Sequence, residues 1–416
     1  MLATATLLLV SIVLAACGPS TSSLPGKPRD AIPSDVAPLA SSFATSTASW
    51  VDLPMGTSGL NRFWELFSRS SGTGTWALVT PPGVADNGGL VVASTPEVPG
   101  VVAGFIPSQY LSSSPLESSA DAGRNWEHPA MLAGGLVPGP SSLSLITAGS
   151  VLGVATGRAP GSSLGTVNGV AALTTAHGGQ VVAGPLTGAT WRGISDLADV
   201  KASAAGERCR PSRLTGISST QTGTLLLAAT CARAGVIGVL RLSGSTWQLA
   251  SPAVPATGTG HRLDVLRLAR VPGGTAALVS WQTSRSRKLM VAWSEAGGSG
   301  WSQTAPLGVP AGSVVDAIGL GPSGTFEVLL TRSANKRRSD ISLEVATEAT
   351  GALRGTWTDL PPPPPGSVAV AGTSRGGALA FTASGTSVEV FALPDGESRW
   401  RLSTHMHVKL PYTSST

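Results

Sequence analysis

Residues 264–305 read DVLRLARVPGGTAALVSWQTSRSRKLMVAWSEAGGSGWSQTA, and this stretch decides the fold. DVLRLARV is a short, largely apolar run that reads as a strand. TAALVSW and KLMVAWSE are short, nearly continuous apolar runs, as expected of strands buried on both faces. Pro272-Gly273-Gly274 separates the first two runs, a basic loop QTSRSRK (282–288) the next two, and AGGSG (296–300) precedes Trp301 and WSQTA. Gly and Pro punctuate strands in this way because they accept turn geometry. The stretch therefore predicts four antiparallel strands in one meander.

Working outward, the same order recurs. Unit 308–361 gives SVVDAIGL, FEVLLT, ISLEVAT and TWTDL; unit 362–410 gives SVAVAGT, ALAFTA, SVEVFAL and RWRLS. Trp76, Trp126, Trp191, Trp247, Trp301, Trp357 and Trp400 stand 50, 65, 56, 54, 56 and 43 residues apart. LTGATW (186–191) and LSGSTW (242–247) are nearly the same hexapeptide. A four-stranded unit cannot bury both its faces alone. Packing such units face to face around an axis solves this, so the expectation is all-β: a β-propeller of four-stranded blades. Seven Trp units predict seven blades, with six or eight as alternatives. The first unit falls near 38–80, with ASWVDLP (48–54) as its inner strand.

Composition agrees. The chain has 416 residues, 42% hydrophobic and only 12% charged, with 52 Gly and 31 Pro. That suits many turns, few long helices and a large core. A net charge of +5 fits a mild preference for anionic surfaces and not a nucleic-acid binder. No P-loop, CxxC or EF-hand spacing is present, and no cofactor is expected. His405 and His407 alternate on a strand-like segment, but two His do not make a zinc site, so no metal is expected either.

Residues 2–16, LATATLLLVSIVLAA, form one uncharged apolar run ending in Leu14-Ala15-Ala16-Cys17-Gly18. This resembles the lipobox of bacterial lipoproteins. The resemblance implies a signal peptide at 1–16, lipidation of Cys17 and a location outside the cytoplasm, on the outer leaflet of the bacterial cell membrane. Residues 17–37 read as a Ser/Pro-rich tether, 38–410 as the propeller and 411–416 as a tail. Cys209 and Cys231 then remain as an even pair, flanking two strand-like runs whose turn lies near Thr220-Gln221-Thr222-Gly223. A hairpin would set them nearly opposite one another, so a disulfide is expected, two buried thiols being the alternative.

Residues 117–129, ESSADAGRNWEHP, contain Ser119-x-Asp121-x-Gly123-x-x-Trp126. This resembles the Asp-box, or BNR repeat, of sialidases and related propellers. SEAGGSGW (294–301) keeps Ser294, Gly298 and Trp301 but has Ala296 where the Asp belongs. The resemblance implies a structural turn, with Asp121 as a brace. Sialidase chemistry is not expected. Gly104-Phe105-Ile106-Pro107 lacks the Arg of the corresponding family segment, and only Tyr110 and Tyr412 could serve as the nucleophile. The architecture is also similar to that of photosystem II assembly-factor propellers, whose exported blades carry an Arg-rich face.

In such a meander the loops joining strands two and three all emerge on one face. Those loops place Arg233, then Arg285, Arg287 and Lys288, then Arg332, Lys336, Arg337 and Arg338 on one side of neighbouring blades. PPPPP (361–365) is a stiff connection on the same side. The sequence thus predicts a monomeric, non-catalytic binding or assembly module, held to the membrane by lipid. Its partner would be an anionic envelope polymer or protein, with no nucleic acid. The rival expectation is an envelope glycan hydrolase or lyase with carboxylates near the axis.

Overall fold

The computed structural model describes residues 39–409, apart from 46, 57–62, 72–73, 83–87, 96–97, 108–111, 148–166, 176–177, 187–190, 296–299, 311–312, 334–344, 354 and 374–375. The expected signal peptide, Cys17, the expected tether, Tyr110, Tyr412, Gly298, Lys336, Arg337, Arg338 and the expected tail lie outside the described residues.

Among the described residues, thirty strands form six sheets, arranged as a β-propeller. Five sheets are separate blades: 90–132, 135–196, 211–249, 263–309 and 367–407. Each is an antiparallel meander, and two carry one extra short strand. The sixth sheet has eight strands. It joins the meander 40–78 to the meander 313–360 through a parallel pairing of Ala40–Ala44 with Ser313–Leu320. The expected seven blades are therefore corrected to five separate blades and one fused sheet. The cause lies at the axis, where these two inner strands hydrogen-bond directly to each other. The blade 367–407 packs its inner strand Ser367–Gly372 against both, and Ser42 Oγ donates to Val370 O at 2.8 Å.

A second correction concerns ASWVDLP. It is the second strand of its meander, Ala48–Met55, because Ala40–Ala44 lies inside it. Trp50, Val51, Asp52 and Leu53 are consecutively buried, as expected of a strand covered on both faces.

The core confirms face-to-face packing. Its apolar clusters bridge neighbouring sheets, not single ones: Leu225, Leu227 and Trp247 pack with Val170, Val181 and Val200, and Leu226 and Val239 with Val279 and Trp281. Burying a side chain of this size contributes on the order of 2–3 kcal/mol. The repeated Trp residues bind the blades a second time. Trp126 Nε1 donates to Val79 O (2.9 Å), Trp247 Nε1 to Ser195 Oγ (3.0 Å), Trp301 Nε1 to Ala250 O (2.7 Å) and Trp400 Nε1 to Pro361 O (3.0 Å). Trp357 Nε1 reaches Thr304 Oγ1 and Ala305 O, both at 3.1 Å. Each Trp heads an outer strand and grips the preceding meander, which explains a spacing close to one unit. Trp191 instead lies on Gly169 and Gly184, where an added Cβ would come within 2.3 and 2.6 Å of its ring.

Two short helices, Leu197–Ala202 and Ala204–Cys209, interrupt the strands, and the sequence reading had none there. Asp196 and Asp199 form a reciprocal capping box, and Ser203 caps the second helix. Cys209 ends that helix and is bonded to Cys231 (S–S 2.04 Å). The hairpin itself pairs Pro211 with Cys231, so the bridge ties the helix to the strand Leu225–Cys231. Among the described residues, no helix is long and apolar enough to cross a membrane.

Candidate functional site

The inner strands all run the same way, which gives the propeller two unlike faces. Call the face where they begin the upper face and the one where they end the lower face. The loops between second and third strands open on the upper face, and those between third and fourth on the lower.

The turn 119–126, expected to resemble an Asp-box, is on the lower face. Ser119 Oγ donates to Asp121 Oδ1 (2.8 Å) and accepts from Gly123 N (2.8 Å). Asp121 Oδ1 also accepts from Asn125 N (2.9 Å), and Oδ2 from Asn125 Nδ2 (2.5 Å). The slight desolvation of Asp121 opposes, but does not overcome, these bonds, and its pKa falls below the ordinary carboxylate value. Gly123 sits at φ +84°, where an added Cβ would come within 2.8 Å of Val79. All of this chemistry is spent inside the turn. In the second box, Ser294 Oγ is buried with no partner among the described residues. Ala296 offers no carboxylate to it.

Three buried charges lie by the axis, and the sequence reading singled out none of them. Arg267, on the inner strand Leu263–Val271, reaches across to the parallel pair: one Nη donates to Ser42 O (2.8 Å) and Ile318 O (2.6 Å). Asp52 Oδ1 accepts from Ser41 N and Ser41 Oγ, each at 2.7 Å. Glu327 fills a slot floored by Gly372, where an added Cβ would lie 2.3 Å from the carboxylate. Burial pushes Asp52 up to about 7 and Glu327 up to about 8, against the pull of Ser41 for the first, of the Gly372 backbone for the second, and of Arg267 for both. Burial also lowers Arg267, to about 10, opposed by the two carboxylates. One signal in the sequence did mark Arg267: it is in phase with the inward-facing Leu263 and Val265.

Cavities open on both sides of this plug. The lower one, about 530 Å³, is lined by inner strands of both halves of the fused sheet and four other blades, with Ser94, Ser144 and Ser218 among its polar groups. The upper one, about 440 Å³, is lined by Arg213, Asp264, Arg287, Ser212, Thr215 and apolar neighbours. Pro140 borders both. Ser141 lies beside the plug, its Oγ accepting from Leu268 N (2.8 Å). Asp52 and Glu327 line neither cavity.

The upper rim is basic. Arg213 Nε donates to Thr230 Oγ1 (3.1 Å), whose hydroxyl donates to Asp264 Oδ1 (3.0 Å). Arg262 donates to Ser212 Oγ (3.0 Å). Arg233 and Arg285 are exposed, and Arg287 and Lys288 half-buried. The structure thus places these four expected cations on one face and adds Arg213, near the start of the strand Pro211–Ser219, and Arg262, just before the strand Leu263–Val271. Arg332 ends its strand at the same face, opposite Ser313, and its side chain is outside the description. His405 and His407 lie on an outer strand, His405 opposite Glu389. Among the described residues no cluster could hold a metal ion.

No protein-family profile matches the chain, and no curated protein matches it in sequence. Solved structures do resemble it. A Bacteroides fragilis protein proposed as a 6-phosphogluconolactonase is 14% identical, with TM-score 0.50, covering 88% of this chain and 96% of its own. A Lactobacillus plantarum protein is 10% identical, with TM-score 0.50, covering 86% and 95%. The β-propeller domain of the Pyrococcus furiosus trilobed protease is 7% identical, with TM-score 0.43, covering 88% and 96%. At these identities the first two speak for the fold alone.

Proposed function

We propose that this chain is a lipid-anchored, extracytoplasmic β-propeller that binds an anionic partner through its upper face and does no chemistry there. One observation carries the reading: the upper cavity holds two guanidinium side chains, Arg213 and Arg287, inside a wider basic rim. Glycoside hydrolysis asks for two carboxyl groups flanking the scissile bond. Among the described residues lining the upper cavity, Asp264 is the single carboxylate. The buried pair Asp52 and Glu327 is spent on the axis.

Two measurements test this. The detergent-solubilised chain should be retained on immobilised poly(glycerol phosphate) at low salt and released as salt rises, because exposed charge pairs are screened within ~10 Å at 0.1 M. Passage straight through the column contradicts the anionic partner. Replacing Cys17→Ser should move the protein from the membrane fraction to the soluble one, and a mutant that stays in the membrane contradicts the anchor.

A further inference from the structure

We propose that the upper face lies flat against the bilayer that holds the chain's own lipid anchor, its basic rim meeting anionic headgroups. The proposal rests on the anchor reading above and adds an orientation and a partner to it.

The first ground is where the chain enters the fold. Leu39 lines the upper cavity, and Ala40–Ala44 runs down from it as an innermost strand. The tether therefore joins the propeller close to the axis of the upper face, between the cations. From Cys17 to Leu39 is a step of 22 residues (39 − 17). A random coil of that length spans roughly 5–6 Å × √n, or roughly 25 Å.

The second ground is distance. To turn the lower face to the membrane, the tether would have to cross the upper face and run down the rim. Four strands spaced ~4.8 Å apart make a blade ~15 Å wide, and a strand of nine residues such as Leu263–Val271 is ~30 Å long. That path is about 45 Å, well beyond the root-mean-square reach, and stretching the segment over it loses chain entropy. With the upper face down, no detour is needed.

The third ground is charge. Arg213, Arg233, Arg262, Arg285, Arg287 and Lys288 share the upper face, where Asp196, Asp199, Glu207 and Asp264 carry the opposite sign. The lower face carries both signs, and its Arg401 is already paired with Glu397 at 3.0 Å. Cations held near an anionic leaflet gain attraction that falls off within the screening length. A tether reaching roughly 25 Å lets them come within that length.

The test reconstitutes the lipidated chain on vesicles of phosphatidylcholine alone or mixed with phosphatidylglycerol, and reads hydrogen exchange. We expect the upper loops 232–238 and 283–286 to exchange on the order of tenfold more slowly on the phosphatidylglycerol vesicles. The lower turns 120–126 and 322–324 should be unchanged. Joint replacement of Arg213, Arg285, Arg287 and Lys288 by Gln should return the upper loops to the phosphatidylcholine value. Equal exchange on the two vesicle types, or protection of the lower turns, overturns the orientation. A chain that washes off phosphatidylcholine vesicles contradicts the anchor itself, and that outcome is read separately as the bound fraction. Upper-loop protection by soluble poly(glycerol phosphate), with none on vesicles, leaves the anionic partner standing and overturns the bilayer as its identity.

Discussion

Arg267 and Arg287 lie within one blade of this propeller and have opposite fates. Arg267 is sealed at the axis, donates to two carbonyls of the parallel strand pair and feels two buried carboxyl groups. Arg287 is half-buried at the upper cavity beside the exposed Arg285. The same side chain closes the ring in one place and, under the proposed function, meets a partner in the other. What differs is access to water. A guanidinium deprived of water must find its partners inside the fold, and one at the rim need not. The comparison ties stability to the axis and the proposed binding to the upper face.

The sharpest way to break that division is Arg267→Met. It leaves two carbonyls and two carboxyl groups without their cation, and should cost about 3–5 kcal/mol of unfolding free energy, read by urea denaturation. A midpoint equal to wild type would show that the axis does not depend on Arg267. Replacing both Cys209 and Cys231 by Ser opens the bridge below the upper rim. The loop it closes, with a sequence separation of 22, implies about 3 kcal/mol, with the polyanion affinity of the folded fraction retained.

The buried carboxyl groups also give the axis a pH signature. Asp52 and Glu327 have folded pKa values raised to about 7 and about 8. The native state therefore holds protons that the unfolded chain releases above the ordinary carboxylate range. Their contribution to stability is fully present below about pH 4 and is lost as pH rises through about 7 to 8, with a slope of at most about 1.4 kcal/mol per pH unit for each group. Urea unfolding at a series of pH values should show this decline. Asp52→Asn and Glu327→Gln should flatten it, whereas Arg287→Gln should leave it intact. A rising slope over that window would contradict the assignment.

Much of this division was legible in the sequence. The Trp spacing and the four-strand meanders gave the propeller, because both follow from local periodicity. The basic loops 282–288 and 232–238 were placed on one face by strand direction alone. The sequence did not show the pairing of Ala40–Ala44 with Ser313–Leu320, since partners 277 residues apart (317 − 40) leave no local trace. That pairing changed the blade count and moved ASWVDLP outward by one strand. The helices at 197–209 were missed although Asp196-x-x-Asp199 is a capping signature. The axial charges were missed for another reason: a single Arg, Asp or Glu in an apolar strand reads as an edge residue until its neighbours across the axis are known.

Smaller effects sharpen the comparison further. Trp301→Phe keeps most of the buried ring and removes the bond to Ala250 O, so it should cost about 1 kcal/mol. A cost near zero would reduce the repeated Trp to packing alone. Arg285→Gln and Arg287→Gln should change stability by no more than about 0.5 kcal/mol. The measurement that bears most directly on the central claim sets these two changes, together with Arg213→Gln and Lys288→Gln, against wild type in a salt titration of poly(glycerol phosphate) binding. The account predicts an unchanged fold with weaker binding and a shallower dependence of affinity on salt. Wild-type affinity and an unchanged salt slope in the fourfold variant would contradict it.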